Sequence, residues 1–382
     1  MTFPGDKIQT MKNILKNLYH RYRKDEKNFG SFKIDQHIII FDSDDWGCQR
    51  IHGRDEKNFL SSYPGFRPHD PFEDGDVLET SKDFENLSHL LLSFKDSAGR
   101  HPIFTLNYVV NNLKYSSDSL VKKEGAFQFE SLTNTYVRMG VPFIWDSSSS
   151  FNNPKVFAFS LHAFAHLNQT RFLNDISSNS NGAKDFYNNG VTASTDPTAF
   201  FCYMDEMGGG KQSVSSDLSV LSKAINQFSS IFGERSLSFT PSCGVIEKSA
   251  IKKICTLGNF RCLKISDGFY RSWGGSHYSK HPFRTGQKIP GTKTRFLCRN
   301  CDFEPIFSND QAVELCLNDI NNAFSKKKPA IISTHRMNYV CGFDEKSYLK
   351  RMAMLSDLLS RILSQYPDAV FMSSDEFILR FF

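Results

Sequence analysis

Apolar runs that read as buried strands alternate along the chain with segments of helical periodicity. The first three runs cover residues 37–41, 102–110 and 156–160, and further short runs follow towards the C-terminus. Between them, apolar residues recur at three- and four-residue spacing, most clearly over residues 218–232, where Gly233 suits the end of a helix. About eight strands separated by helices are typical of repeated βα units around a parallel sheet. We therefore predict an α/β fold, with closure into a barrel favoured over an open sheet.

The chain shows no linker, composition break or internal repeat. We predict a single barrel domain over residues 34–382, preceded by an N-terminal segment over residues 1–33. Within that segment, residues 10–23 carry apolar side chains at helical spacing, with Lys and Arg between them. This pattern predicts an amphipathic helix packed on the outside of the domain, and a helix lying on a membrane surface is the alternative.

Charge and cysteine content narrow the class of protein. A formal net charge of +5 is small for 382 residues, and basic and acidic residues are intermixed, which argues against nucleic acid as the partner. The nine cysteines lack the spacing of a disulfide framework, and no apolar run is long enough to cross a membrane. Because the N-terminus also lacks an apolar targeting segment, these features predict a cytoplasmic protein without a transmembrane segment.

Acidic and histidine side chains follow three of the predicted strands. Asp44 and Asp45 come just after the first strand, His162 and His166 after the third, and His335 after a late one. Because the carboxyl ends of strands in a βα barrel share one face, these groups can converge there. Two histidines and one carboxylate make a common open metal site for hydrolysis. We therefore hypothesise that a metal ion binds Asp45, His162 and His166, with Asp44 and His335 as its catalytic partners.

Each motif by itself has a simpler interpretation. Adjacent aspartates often open a turn or cap a helix, and two histidines four residues apart can lie on a helix surface without a ligand. His335 alone can be a packing residue, and Asp42 is a rival for the roles given to the doublet. Adjacent residues of a regular strand point to opposite sides, so Asp44 and Asp45 can reach one site only where the strand ends and turns.

In order along the chain, the motifs resemble those of the metal-dependent polysaccharide deacetylases, the NodB-homology group also called carbohydrate esterase family four. That family has an Asp-Asp doublet after its first strand, a HxxxH pair and a late strand that ends in Leu-x-His. The likeness is closer to a divergent branch found among polysaccharide-biosynthesis proteins, and it runs from about residue 34 to the C-terminus. The segments that carry it are residues 43–47, 162–168, 238–241, 285–288, 299–305, 333–339 and 371–376.

The resemblance implies an irregular (β/α) barrel of about seven or eight strands with a NodB-like fold. It implies that Asp44 is the general base and His335 the general acid. It also implies that Asp45, His162 and His166 bind a divalent metal ion, with zinc as the expected ion. The assignment of Asp44 to the water and of Asp45 to the metal comes from this resemblance more than from geometry.

The reaction that the resemblance implies is hydrolysis of N-acetyl groups on a glycan or sugar intermediate of polysaccharide biosynthesis. A metal-bound water would be the nucleophile, and the protein would be a metal-dependent hydrolase of an amide bond with a carbohydrate partner. Trp46, Arg299, Asn300 and Arg336 are the expected substrate contacts. Two alternatives stay open, namely a non-catalytic glycan-binding or scaffold protein on the same fold, and a metal hydrolase of another amide, ester or phosphoester bond.

One motif of the family is replaced in this chain. The family's third motif carries an arginine that orients the base, whereas residues 240–243 read Thr-Pro-Ser-Cys here. Arg299, Arg336 or Arg50 could take over that role, and the sequence does not choose among them.

Overall fold

A computed structural model gives the structure of the chain over residues 26–68, 71–115, 127–141, 155–209, 211–265, 269–273, 277–281 and 283–382. The amphipathic helix predicted over residues 10–23 lies outside these described residues. The division into a segment 1–33 and a domain 34–382 therefore stays a prediction.

Parallel strands form the main sheet of the described residues, and two antiparallel pairs lie beside it. The main sheet has nine strands, in the order β10-β7-β6-β5-β2-β1-β12-β11, with β13 paired to the start of β1. The antiparallel pairs are β3 with β4 and β8 with β9. The strands are β1 (Ile38–Trp46), β2 (Phe104–Val109), β3 (Asn111–Lys114), β4 (Gln128–Ser131), β5 (Phe157–Ala163), β6 (Ser238–Phe239), β7 (Cys262–Ile265), β8 (Phe269–Trp273), β9 (His277–His281), β10 (Arg295–Cys298), β11 (Cys301–Asp302), β12 (Ala330–His335) and β13 (Val370–Phe371).

Helices surround the main sheet and separate most of its strands along the chain. The main sheet curls into a half barrel, so the predicted α/β fold class is confirmed. Within the described residues, no helix combines the length and the apolar character needed to cross a membrane. The helices are α1 (Arg54–Ser62), α2 (Ser81–Leu92), α3 (Leu132–Met139), α4 (Gln169–Ser177), α5 (Ala183–Asn188), α6 (Pro197–Met204), α7 (Val214–Phe232), α8 (Ile251–Gly258), α9 (Pro305–Ser308), α10 (Ala312–Ser325), α11 (Glu345–Gln365) and α12 (Ser374–Phe381).

Alternate residues of β1 build the inner face of the curled sheet in layers. Ile38 and Ile40 belong to an apolar cluster that β7, β10, β12 and β13 also enter, and Phe377 of α12 packs against it. At the next position on this face, Asp42 is fully buried and accepts a hydrogen bond from Nζ of Lys264 at 2.8 Å. Because residues two apart share a face of a strand, the next residue on this face is Asp44, the first aspartate of the predicted doublet.

A single chain segment joins the two edges of the sheet. β10 pairs with β7 at one edge, and β11 pairs with β12 at the other edge. Between them, the backbone N–H of Arg299 donates to the carbonyl of Ile265 at 2.7 Å, and that of Asn300 donates to Ile331 at 3.1 Å. The crossing over these two residues therefore links the two edges of the half barrel at the level of the candidate site.

The side chain of Asn300 seals this crossing. Its Oδ1 accepts from the backbone N–H of Ile331 at 2.8 Å, and its Nδ2 donates to the carbonyl of Pro329 at 2.9 Å and to Oδ1 of Asn28 at 2.6 Å. These contacts are with the protein, so a substrate contact by Asn300 stays a prediction.

Asn300→Ala is expected to lower the free energy of unfolding by about 3 kcal/mol, because it leaves buried backbone groups without partners. Chemical denaturation followed by circular dichroism measures the loss. The exposed Asn174 offers a matched control, since Asn174→Ala should change stability by less than about 0.5 kcal/mol. Equal stability of the two variants would contradict the assigned role of Asn300.

Candidate metal centre

Asp45, His162 and His166 come together at the carboxyl ends of β1 and β5. The ligand atoms of these three buried side chains all lie within 4.8 Å of one another. Nε2 of His162 is 3.0 Å from Oδ1 of Asp45, and Nε2 of His166 is 3.3 Å from the same oxygen. His162 stands on the end of β5, whereas His166 lies in the following loop and not on a helix.

Two of the three side chains depend on an unusual backbone conformation. Asp45 has φ of 71° and His166 has φ of 51°, in the left-handed region that residues other than glycine rarely adopt. The pairing of β1 with β2 also shifts register between Ser43 and Trp46. This irregularity breaks the strand alternation, which allows Asp44 and Asp45 to approach one site. Such strain, of order 1–3 kcal/mol per residue, tends to cluster at functional sites.

The hydrogen bonding of His162 suits a metal ligand. Its Nδ1 lies 2.8 Å from the carbonyl oxygen of Thr240, which can only accept, so Nδ1 carries a proton. In the neutral ring, Nε2 then presents a lone pair to the carboxylate of Asp45. Burial lowers the pKa of His162, but Asp44 and Asp45 outweigh it and raise that pKa, because a positive charge between these acceptors is favourable. A bound divalent cation would satisfy the same acceptors.

His166 has the protonation state of a metal ligand and one contact that an ion would change. Burial, opposed by Asp45 and reinforced by Arg50 and His162, lowers the pKa of His166 to about 3, so its ring is neutral. Nη2 of Arg50 lies 3.3 Å from Nδ1 of His166 and can only donate, which keeps the ring proton on Nε2. An ion bound at Nε2 would therefore displace this Arg50 contact. The ligand atoms of Asp45, His162 and His166, one carboxylate oxygen and two imidazole nitrogens, fit a divalent ion such as zinc.

The loop between the two histidines is fixed by Glu206. The two carboxylate oxygens of Glu206 accept from the backbone N–H groups of Phe164 at 2.9 Å and Ala165 at 2.7 Å. No pattern in the sequence singles out Glu206, because it lies about forty residues from the loop that it holds. It is a positioning residue that the sequence analysis did not find.

Glu206→Gln is expected to weaken zinc binding by about tenfold with the fold retained, because one of the two acceptor oxygens becomes a donor and the loop loosens. Titration calorimetry of zinc into metal-free protein measures the affinity. Glu234 is exposed, and Glu234→Gln should bind zinc as the wild type does. Unchanged zinc affinity in Glu206→Gln would show that the loop is held without this carboxylate.

Asp44 is paired with Arg299. Nη1 of Arg299 donates to Oδ2 of Asp44 at 2.6 Å, and Nδ2 of Asn107 donates to Oδ1 at 2.6 Å. Burial raises the pKa of Asp44, but the charges of Arg299, His162 and His335 outweigh it and lower that pKa to about 2. Asp44 is therefore an ionised carboxylate at neutral pH.

The three arginines considered as orienting groups have different positions. Arg299 is the one that contacts the first aspartate of the doublet. Arg50 pairs with Asp76 and lies 3.7 Å from Oδ2 of Asp45, the second aspartate of the doublet. Arg336 is fully buried, pairs with Asp76 and donates to Oε2 of Glu79 at 2.9 Å. Both Nη groups of Arg336 are hydrogen-bonded within the protein. A contact of Arg336 with a substrate therefore stays a prediction.

Trp46, another expected substrate contact, lies in the core. Its side chain is fully buried, Nε1 donates to Oγ of Ser43 at 2.9 Å, and the indole stacks on Phe84 with ring centroids 5.1 Å apart. These contacts give Trp46 a packing role beside the strand irregularity, and its contact with a substrate stays a prediction.

His335 lies beside Asp44 and is held by Glu304. In the parallel pairing of β1 with β12, His335 is the partner of Asp44, so both face the inside of the sheet. Nδ1 of His335 donates to Oε1 of Glu304 at 2.7 Å, and Nδ2 of Asn338 donates to Oε2 at 2.7 Å. Burial lowers the pKa of His335, but Glu304, Asp45 and Asp44 together raise it to about 10. His335 is therefore a protonated imidazole at neutral pH, with 30% of its side chain exposed.

Comparison with known proteins assigns no family to this chain. The sequence matches no protein-family model and no curated protein. A solved structure described as "Crystal structure of putative polysaccharide deacetylase from Mycobacterium smegmatis" is similar over 92% of this chain and 92% of that chain, with a TM-score of 0.39 and 11% sequence identity. The similarity is distant and assigns no function to this chain.

Proposed function

We propose that the protein is a metal-dependent deacetylase that hydrolyses N-acetyl groups on a glycan or on a sugar intermediate of polysaccharide biosynthesis. The observation that carries the proposal is the placement of Asp44 and His335 as partners on adjacent strands, beside the group of Asp45, His162 and His166. The pKa of Asp44 is lowered to about 2 and that of His335 is raised to about 10. Two titratable groups whose pKa values are driven apart beside a candidate metal site are typical of a base and an acid.

The assigned roles follow from those charges. Asp44 accepts the proton of the attacking water, while Arg299 keeps its carboxylate oriented. His335 donates its Nε2 proton to the nitrogen that leaves as the amine, and Glu304 fixes the opposite ring nitrogen. A divalent ion held by the Asp-His-His group, with zinc expected, would supply Lewis-acid activation of the water and the acetyl carbonyl.

The same contacts argue against two alternative functions, a non-catalytic glycan-binding protein and a phosphoester hydrolase. A non-catalytic glycan-binding protein has no need for a protonated histidine held 2.7 Å from a carboxylate at the mouth of the site. A phosphoester hydrolase would place cations towards the substrate, whereas Arg336 and Arg299 are paired with carboxylates. Amide hydrolysis uses both an acid for the leaving amine and a base for water, and the positions of His335 and Asp44 suit these two roles.

Acetate release from N-acetylated sugars and glycans, with zinc, cobalt or nickel added, tests the function. We expect release of acetate together with a free amine, and its loss in Asp44→Asn. No release across a broad panel of substrates would favour the non-catalytic glycan-binding protein. We also propose the cytoplasm as the location, since none of the nine cysteines, all in the described part of the chain, forms a disulfide.

A further inference from the structure

A pair of phenylalanines extends from the proposed acid: Phe72 contacts His335, and Phe307 contacts Phe72. The rings of Phe72 and His335 pack edge to face with centroids 5.3 Å apart. Phe307 of α9 lies against Phe72 with centroids 5.7 Å apart and an interplanar angle of 40°. Phe307 is 44% exposed and Phe72 is partly exposed, so the pair presents aromatic surface near His335.

The position of this pair is tied to the acid. Phe307 follows Glu304 by three residues, and its backbone N–H donates to the carbonyl of Glu304 at 3.0 Å. Glu304 in turn holds the imidazole of His335. On the other side, the guanidinium carbon of Arg50 lies 5.5 Å from the centre of the Phe72 ring. The aromatic pair is therefore fixed relative to both His335 and the metal-binding side chains.

The chemistry of the reaction determines what lies beside His335. A general acid must come within hydrogen-bond distance of the nitrogen that leaves. In an N-acetylated sugar this nitrogen is attached to the sugar ring, while the acetyl carbon faces the base and the metal site. Side chains that surround the acid therefore contact the sugar ring and not the acetyl group.

We propose that Phe72 and Phe307 form a platform on which the pyranose ring carrying the scissile acetamide stacks through its C–H face. This inference rests on the proposed function and adds to it the two side chains, Phe72 and Phe307, that hold the sugar ring. An aromatic ring offers a large, rigid contact at small conformational cost, and because the sugar ring itself is not changed in the reaction, the platform contributes equally to binding of the substrate and of the transition state.

Phe307→Ala tests the platform, with Phe29→Ala as the matched control. Phe29 is 45% exposed and also contacts a neighbouring side chain, the ammonium of Lys326 at 5.2 Å from its ring centre. For tetra-N-acetylchitotetraose we expect Phe307→Ala to raise KM about tenfold with kcat within about twofold. Phe307→Trp should keep the wild-type KM, and p-nitrophenyl acetate, which has no sugar ring, should be hydrolysed equally by all variants.

Direct binding separates failure of the platform from failure of the proposed reaction. Calorimetric titration with tetra-N-acetylchitotetraose should show weaker binding in Phe307→Ala, by about tenfold, and unchanged binding in Phe29→Ala. This result would support the platform even if the wild type released no acetate. A wild type that binds no such sugar, or equal binding by both variants, overturns the proposal.

Discussion

His162→Ala is expected to abolish stoichiometric metal binding and to lower deacetylase activity by at least about a thousandfold. His162 is the side chain best prepared to bind an ion, because Nδ1 is fixed on Thr240 and Nε2 faces Asp45 at 3.0 Å. Removing one of three protein ligands leaves too few donors for a tightly bound ion. Metal analysis of the purified protein measures the loss independently of activity.

Asp45→Asn provides a second ligand variant with little change in shape. Asparagine, like aspartate, tolerates the left-handed conformation at φ of 71°, so the backbone should be preserved while the negative charge is lost. His89 lies on the exposed face of α2, and His89→Ala should keep both metal and activity. Metal retained at the wild-type ratio by His162→Ala and Asp45→Asn would disprove the ligand set.

The fold class and the convergence of the candidate metal-binding residues could be predicted because both follow from strand order and strand ends. The apolar run before Asp44 is buried on both faces, and Asp44 and His335 end neighbouring parallel strands. Parallel strands bring such ends to one edge of the sheet, whatever the length of chain between them. The HxxxH spacing was less informative, since His166 lies in a loop.

The partners of the site could not be predicted, because they depend on contacts between distant segments. Arg299 is 255 positions from Asp44, and nothing in its spacing favours it over Arg50 or Arg336. Glu304 belongs to a segment that the family resemblance includes, but its contact with the imidazole of His335 depends on how α9 packs. These side chains are identified by three-dimensional packing alone.

Local backbone geometry explains why two side chains that follow site residues directly in the sequence are bonded within the protein. Trp46 follows the aspartate doublet directly, yet the register shift in β1 turns it into the core. Arg336 follows His335 directly, but the chain enters a 3-10 turn over Arg336–Asn338, which directs the guanidinium to Asp76. The side chains of adjacent residues at strand ends therefore point in different directions. A residue that follows a site residue in the sequence need not contact the substrate.

Glu304→Gln is expected to shift the alkaline limb of the pH–activity profile down from about 10 towards the ordinary histidine pKa of 6.5. In the wild type, burial lowers the pKa of His335 and the carboxylate of Glu304 more than compensates. Removing that charge leaves burial opposed only by the more distant aspartates. The acid is then deprotonated at mildly alkaline pH, so activity at pH 8.5 should fall by at least about tenfold while activity near pH 6 changes little.

The pH at which Glu304→Gln loses activity distinguishes a catalytic from a purely structural role for Glu304. A group whose pKa is raised on folding stabilises the protein below its unfolded pKa, and that contribution is lost as the pH rises through the folded value. The stability that Glu304 provides through His335 should therefore be full below about pH 6.5 and vanish above about pH 10. A merely structural role therefore predicts that Glu304→Gln lowers activity at least as much at pH 6 as at pH 8.5.

Kinetics of kcat/KM between pH 5.5 and 10.5 separate these outcomes, with thermal unfolding recorded at each pH. Glu314 also pairs with a cation, Arg361 at 2.5 Å, but on the exposed surface, so Glu314→Gln should leave the profile unchanged. An alkaline limb that stays in place in Glu304→Gln would show that His335 is not the titrating acid. A limb that moves down while the acid limb stays fixed would assign the leaving-group proton to the imidazole that Glu304 holds.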